Sequence, residues 1–260
     1  MKHNKCKICQ GITLKLFSAS VLGKHNVDYF KCPKCEFIQT EDPYWLDEAY
    51  SSAISELDVG LVSRNLKFSE LLDPFLEKHW GKSGLYLDQG GGYGLFVRLM
   101  RDRGFDFYRQ DTYCQNLFAS GFDIADAGSN EKFSLITAFE VFEHLVDPIT
   151  EISSMFETAD SIVFSTHLQP NKEISSVNDW WYFIPDTGQH ISFYSERTLS
   201  YIADKFNKTL YTNKANLHLL CDPEIAIAQF NLNMPASNSD SLLQSDAEKI
   251  THAYQIRQFG

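Results

Sequence analysis

Residues 84–94 run Gly84-Leu85-Tyr86-Leu87-Asp88-Gln89-Gly90-Gly91-Gly92-Tyr93-Gly94, and the reading of this stretch decides the fold. A short apolar run of strand length ends on an acid and passes through a glycine-rich turn. It then opens into residues 95–100 (LFVRLM), whose apolar spacing is helical. Strand, glycine turn and helix in that order are how an open α/β sheet builds a nucleotide site.

The spacing is D-x-G-x-G-x-G, with Asp88 at the strand end and Gly90, Gly92, Tyr93 and Gly94 in the turn. It differs from the G-x-G-x-x-G that receives a pyrophosphate on a helix N-terminus. A ligand with an adenosyl group but no phosphate, S-adenosylmethionine, fits that difference. Glycines let the backbone approach its methionine part, and Asp88 is placed to meet the ammonium group. A second apolar run, residues 105–108, leads to Asp111, where a strand-end acid can hold ribose hydroxyls. Asp111 is equally placed to cap a helix over 114–120.

Residues 133–139 form a third buried run, followed by EVFEHL at 140–145, the turn at 146–148, and a helical pattern over 149–156. The stretch FSLITAFEVFEHLVDP resembles the corresponding segment of class I S-adenosylmethionine-dependent methyltransferases, and with LDQGGGYG it covers most of residues 84–166. The resemblance implies a Rossmann-like α/β fold with a seven-stranded sheet flanked by helices. It also implies that Phe139 and Glu140 line the methionine end of the cofactor and that the loop at Asp123–Asp126 meets adenine. Ser134 departs from the family's frequent acid, and the strand at 121–124 is barely visible. Leu217–Leu220 and Ile225–Phe230 are expected to close the sheet as a hairpin, and a helix is expected after the polar stretch 236–241.

Residues 167–195 make a long connection containing Trp180, Trp181 and Tyr182, and connections of this length are commonly functional. The three aromatics are candidates to wall an acceptor pocket, with core packing as the alternative use. The run from Trp180 to Leu199 resembles acceptor segments of methyltransferases in bacterial sugar and secondary-metabolite pathways. It is also similar to the zinc-bearing sugar C-methyltransferases, and the match implies that His190, ahead of Phe193-Tyr194-Ser195, is the general base. Thr187 and Gln189 stand where that family has tyrosine and glutamate, so methyl transfer is better supported than transfer to carbon. An imidazole is suited to the task because its ordinary pKa lies near neutrality. His144 is the second candidate, with ordering of its own loop as the alternative use.

Upstream, Cys6 and Cys9 pair with Cys32 and Cys35 as C-x2-C…C-x2-C, a spacing that predicts a structural zinc ion held by four thiolates. The intervening residues 13–17 and 29–31 predict a hairpin too small to fold on its own burial, so metal binding supplies its folding energy. The expected organisation is a zinc ribbon at 1–42, a linker and helical segment at 43–83, and the methyltransferase domain at 84–260. Apolar spacing at Phe68, Leu71, Leu72, Phe75 and Leu76 marks an amphipathic helix before the sheet.

A net charge of -11 repels a phosphate backbone and speaks against nucleic acid as substrate. No long uncharged apolar run suggests a membrane span, no apolar run follows the N-terminus, and the cysteine usage fits reduced thiols, so the expectation is a cytoplasmic protein. The expected activity is methylation of a small molecule, a nucleotide-linked sugar or related metabolite, on carbon or oxygen. Methylation of a quinone or phenolic hydroxyl is the rival enzymatic reading, and a non-catalytic cofactor-binding adaptor the rival from another class.

Overall fold

The computed structural model describes residues 5–51, 58–128 and 132–228, with positions 230, 232, 246, 249 and 250. In chain order the elements are β1 (Leu14–Val21), β2 (His25–Lys31), β3 (Ile38–Thr40), α1 (Leu46–Ala49), α2 (Leu61–His79), β4 (Leu85–Gln89), α3 (Leu95–Asp102) and β5 (Asp106–Gln110). Then come β6 (Leu135–Phe139), α4 (Pro148–Thr158), β7 (Ile162–Ser165), β8 (Ser192–Phe193), α5 (Glu196–Lys205), β9 (Thr209–Thr212) and β10 (Leu217–Cys221). They fall into two compact units, one of residues 1–51 and 130–231, the other of residues 52–129 and 232–260.

In the first unit β1 and β2 form the anticipated hairpin, longer than the sequence suggested. Alternation explains it: Phe17, Ala19 and Val21 point inward while Ser18 and Ser20 face water. Phe17 stacks on Tyr29 at 4.7 Å, and Phe183 meets both rings edge-on. β3 pairs with β2, and its other edge pairs with β8. The ribbon sheet therefore continues into the long connection, with Ile38 opposite Phe193 and Gln39 opposite Ser192. In the same unit β6 and β7 run parallel, and β10 lies antiparallel between β7 and β9.

The second unit holds α2, whose Phe68, Leu72, Phe75 and Leu76 form one buried face, and the parallel pair β4–β5 joined through α3. The α/β strands among the described residues number six, β4 and β5 in this unit and β6, β7, β9 and β10 in the other, not the expected seven. The strand anticipated at 121–124 shrinks to a single bridge between Arg109 and Asp123. Gly121 turns the chain at φ 84°, and a reciprocal cap between Asp123 and Asp126 winds Ile124–Asp126 into a 3-10 turn at once. The hairpin partner of β10 is β9, before it, instead of Ile225–Phe230 after it. The chain leaves β10 through Asp222-Pro223 into a turn closed by Ile225 N–H on the Asp222 carbonyl. The helix expected after 236–241 lies outside the described residues. Among the described residues no helix is long and apolar enough to cross a membrane.

β10 buries His218 completely. Its Nε2 bonds to the Thr166 carbonyl at 3.0 Å and its Nδ1 to the Thr212 hydroxyl at 2.8 Å. A carbonyl only accepts, so Nε2 carries the proton and the ring is neutral. Burial pushes its pKa down to about 4. Above the unfolded value the ring is neutral in both states, so the linkage is silent there. Below pH ~6.5 the unfolded chain takes up the proton first, and stability falls until pH about 4, by on the order of 3 kcal/mol. Urea unfolding of the wild type and His218→Asn at pH 7 and 4.5 is expected to show this acid loss reduced in the variant. An equal loss in both would remove His218 as its source.

Candidate active site

The four ribbon cysteines come together as a group able to hold a metal ion, their sulfurs all within 4.8 Å of one another. Cys6 Sγ lies 3.5 Å from Cys35 Sγ and Cys9 Sγ 3.4 Å from Cys32 Sγ, too long for disulfides. A tetrahedral ion at ~2.3 Å from each sulfur needs edges of about 3.8 Å, so the thiols need little movement to close on one. Backbone bonds shape both knuckles: Gln10 N–H on Cys6 O, and Glu36 N–H on Cys32 O.

In the second unit Asp88 ends β4 almost fully buried. The turn after it is crowded: a Cβ at Gly91 would lie 2.9 Å from Asp88 Oδ2, and one at Gly94 2.8 Å from Asn116 Oδ1. Gly94 also has φ 84°, a left-handed backbone that permits the abrupt entry into α3. Asp111 grips this turn. Its Oδ2 accepts from Gly92 N–H at 2.9 Å and its Oδ1 from the N–H groups of Tyr113 and Cys114. The segment after it is a series of turns and not a helix. A carboxylate has about four acceptor positions, and these three bonds leave one on Oδ2.

Sequence reasoning missed Arg109, which is buried and ties the turn together. It donates to Gly92 O through Nε at 2.7 Å, to Asp123 Oδ1 through Nη1 at 2.6 Å, and to Cys114 O. An arginine inside the strand-like run at 105–110 was the available signal, because a charge that such a run buries must find several acceptors. Asp123 is thereby engaged as an ion-pair partner and as a cap.

In the first unit Phe139 ends β6 and Glu140 follows at φ 53°, an uncommon conformation for a side-chain-bearing residue. Ser165 over-determines it: Glu140 N–H donates to Ser165 Oγ at 2.8 Å, and the Ser165 hydroxyl donates to Glu140 Oε1 at 2.6 Å. Three residues on, Glu143 is completely buried and accepts from the Tyr182 hydroxyl at 2.5 Å. Burial, with the nearby Glu140 charge adding to it, pushes the Glu143 pKa up to about 8.

The loop carrying Glu143 is stitched to the connection carrying His190. Ile191 N–H donates to Glu143 O, Ser192 Oγ to Leu145 O, and the Tyr194 hydroxyl to Phe142 O. The rings of His144 and His190 meet edge to face at 4.9 Å. His190 Nδ1 bonds to the Tyr182 carbonyl at 2.8 Å; His144 Nδ1 lies 3.1 Å from the Gln189 carbonyl and 3.0 Å from the Tyr50 hydroxyl. Both carbonyls can only accept, so in each of these two bonds Nδ1 is the donor. Gln189 itself is structural, its Nε2 donating to Ala49 O, and Thr187 Oγ1 turns back to Ile184 O. Of the three aromatics, Trp180 and Tyr182 lie in the core and Trp181 is 65% exposed, edge-on to His167.

A methyltransferase-domain family model matches residues 63–212, more than half of the chain. The chain belongs to this family, the class I S-adenosylmethionine-dependent methyltransferases. Several solved structures of methyltransferases are similar to it at low identity. The plantazolicin methyltransferase BpumL, in complex with a monoazolic desmethylPZN analog and SAH, is 13% identical, with 68% of this chain and 92% of that one covered and a TM-score of 0.49. An O-methyltransferase family protein from Burkholderia thailandensis is 8% identical, with coverages of 68% and 62% and a TM-score of 0.43. A methyltransferase of calicheamicin biosynthesis in its SAH-bound form is 10% identical, with coverages of 70% and 60% and a TM-score of 0.42. The chain thus spans under two thirds of the length of the last two. No curated protein sequence matches it.

Within this methyltransferase the residues singled out from sequence form two sets. Asp88, Gly90, Gly92, Tyr93, Gly94, Asp111 and Asp123 share the second unit; Phe139, Glu140, His144, Trp180, Trp181, Tyr182 and His190 share the first with the four ribbon cysteines. Glu143 was missed as a site residue. An acid inside the run Val141-Phe142-Glu143-His144-Leu145 was the signal, since apolar neighbours on both sides predict burial.

Proposed function

We propose that this methyltransferase transfers the methyl group of S-adenosylmethionine to a small, hydroxyl-rich acceptor of the nucleotide-linked sugar class, on oxygen or carbon, with His190 receiving the acceptor's proton. The observation that carries the reading is the anchoring of His190. Its Nδ1–H is held by the Tyr182 carbonyl and Tyr182 is held by Glu143, so Nε2 presents a lone pair in a fixed direction. Family membership supports the cofactor. Asp88 is suited to the ammonium group, Asp111 to one ribose hydroxyl through Oδ2, Asp123 to the adenine end, and Phe139 and Glu140 to the methionine end. When bound, the cofactor supplies an electrophilic methyl on a sulfonium. The residues of this chain orient the acceptor, exclude water and take one proton.

The acceptor class rests on the resemblance of the run from Trp180 to Leu199 to acceptor segments of sugar-pathway methyltransferases; a polar cleft of about 810 Å³ in the same unit, lined in part by His167, Asn171, Arg197 and Lys214, does not include His190. Trp181, against His167, offers a ring for the apolar face of a sugar. We further propose that the four cysteines hold a structural zinc ion, the ion their thiolate set and spacing favour.

The test is transfer of label from methyl-labelled S-adenosylmethionine to a panel of nucleotide-linked sugars, phenols and quinols. Label is expected on a sugar. Label confined to phenols or quinols would sink the acceptor class, and none on any acceptor would overturn the methyl-transfer reading.

A further inference from the structure

Glu143, His144 and His190 each offer one ligand atom, and the three atoms lie within 4.8 Å of one another. Glu143 is fully buried, and while its Oε1 accepts from the Tyr182 hydroxyl, its Oε2 has no hydrogen-bond partner among the described residues. A buried carboxylate oxygen without a partner is costly, and a cation is one of the few ligands that compensates it. In both imidazoles Nδ1 faces a backbone carbonyl, the second contact that metal-binding histidines usually make. The Tyr50 hydroxyl adds a third fixed group around His144.

We propose that Glu143, His144 and His190 form a binding site for one divalent cation, with a carboxylate oxygen and two imidazole nitrogens as protein ligands. Two nitrogens and an oxygen suit manganese, iron or zinc, and they make a site chemically distinct from the all-thiolate ribbon cluster. Three protein ligands leave positions open, which is the mark of a catalytic and not a structural metal site. The role of those positions rests on the methyl-transfer reading: an acceptor oxygen entering one of them is acidified by the cation and releases its proton to solvent water. With the cation in place His190 is a ligand, and it serves as the base only in the cation-free protein.

The full chain, with its ribbon metal retained, is titrated with Mn2+, a hard ion that disfavours thiolates, and free Mn2+ is counted by electron paramagnetic resonance. One Mn2+ per chain is expected, with affinity weakened at least ~10-fold in Glu143→Gln and His144→Ala. Circular dichroism and binding of S-adenosylhomocysteine show whether each variant is folded. No bound Mn2+ in the wild type, or equal binding in folded variants, overturns the site. Mn2+ bound with no acceptor methylated keeps the site and sinks the methyl-transfer reading. Transfer undiminished after Mn2+ is removed keeps methyl transfer and removes the cation's part in it.

Discussion

Cys32→Ser is expected to unfold the ribbon and to take methyl transfer with it, because the ribbon is built into the segment that carries His190. A structural zinc ion contributes roughly 10–16 kcal/mol in small peptides, as much as the whole stability of an ordinary domain. The hairpin's Phe17, Val27 and Tyr29 share one buried cluster with Trp180, Tyr182, Phe183 and Ile191, so a disordered ribbon disturbs the core beneath His190. The knuckle's own carbonyls anchor distant chain: Cys35 O accepts from Thr198 Oγ1 at 2.8 Å, at the start of α5, and Glu36 O accepts from Gln169 Nε2 at 2.9 Å. β3 then pairs with Ser192–Phe193, and Thr40 N–H bonds to Ile191 O beside His190. Metal analysis, circular dichroism and turnover of the variant and of chelator-treated wild type check this. Expected are loss of one zinc, loss of ribbon signal, and no measurable turnover. Full activity in metal-free protein would refute the coupling.

His190→Ala is expected to lower turnover by roughly 10²–10⁴-fold, the usual contribution of a positioned proton acceptor. Affinity for S-adenosylmethionine should stay within about 2-fold, because the role proposed for His190 is toward the acceptor and it lies in a different unit from the glycine turn. The fold should tolerate the change. The His190 ring bonds to the Tyr182 backbone carbonyl, and Tyr182 remains held by Glu143 and by Trp180 and His167 without it. Kinetics and isothermal titration with the cofactor separate the two quantities. Unchanged turnover removes His190 from the reaction; lost cofactor affinity would mean that its role is structural.

Much of the framework was legible from local pattern. The glycine turn declared itself because a crowded, left-handed backbone at Gly94 admits only glycine, and that demand is written at one position. The hairpin was legible from two short apolar runs and the four-cysteine cluster from two C-x2-C pairs. Two strands were misplaced because the forces that decided them are short-range caps: the Asp123–Asp126 pair and the turn after Asp222 stop strands that apolar content alone would have continued.

The sequence by itself determined the α/β class, the glycine turn with its acids and the four-cysteine cluster, since each rests on residues close together along the chain. Tertiary structure alone decided the neighbourhood of His190. Glu143 and Tyr182 are far apart in sequence, as are Tyr50 and His144, and a buried carboxylate finds its partners only when distant segments close over it. The same closure placed Trp180 in the core and Trp181 at the surface, a division that three consecutive aromatics cannot announce. Burial and hydrogen-bond partnership are properties of the packed chain, so the chemistry that depends on them became readable only there.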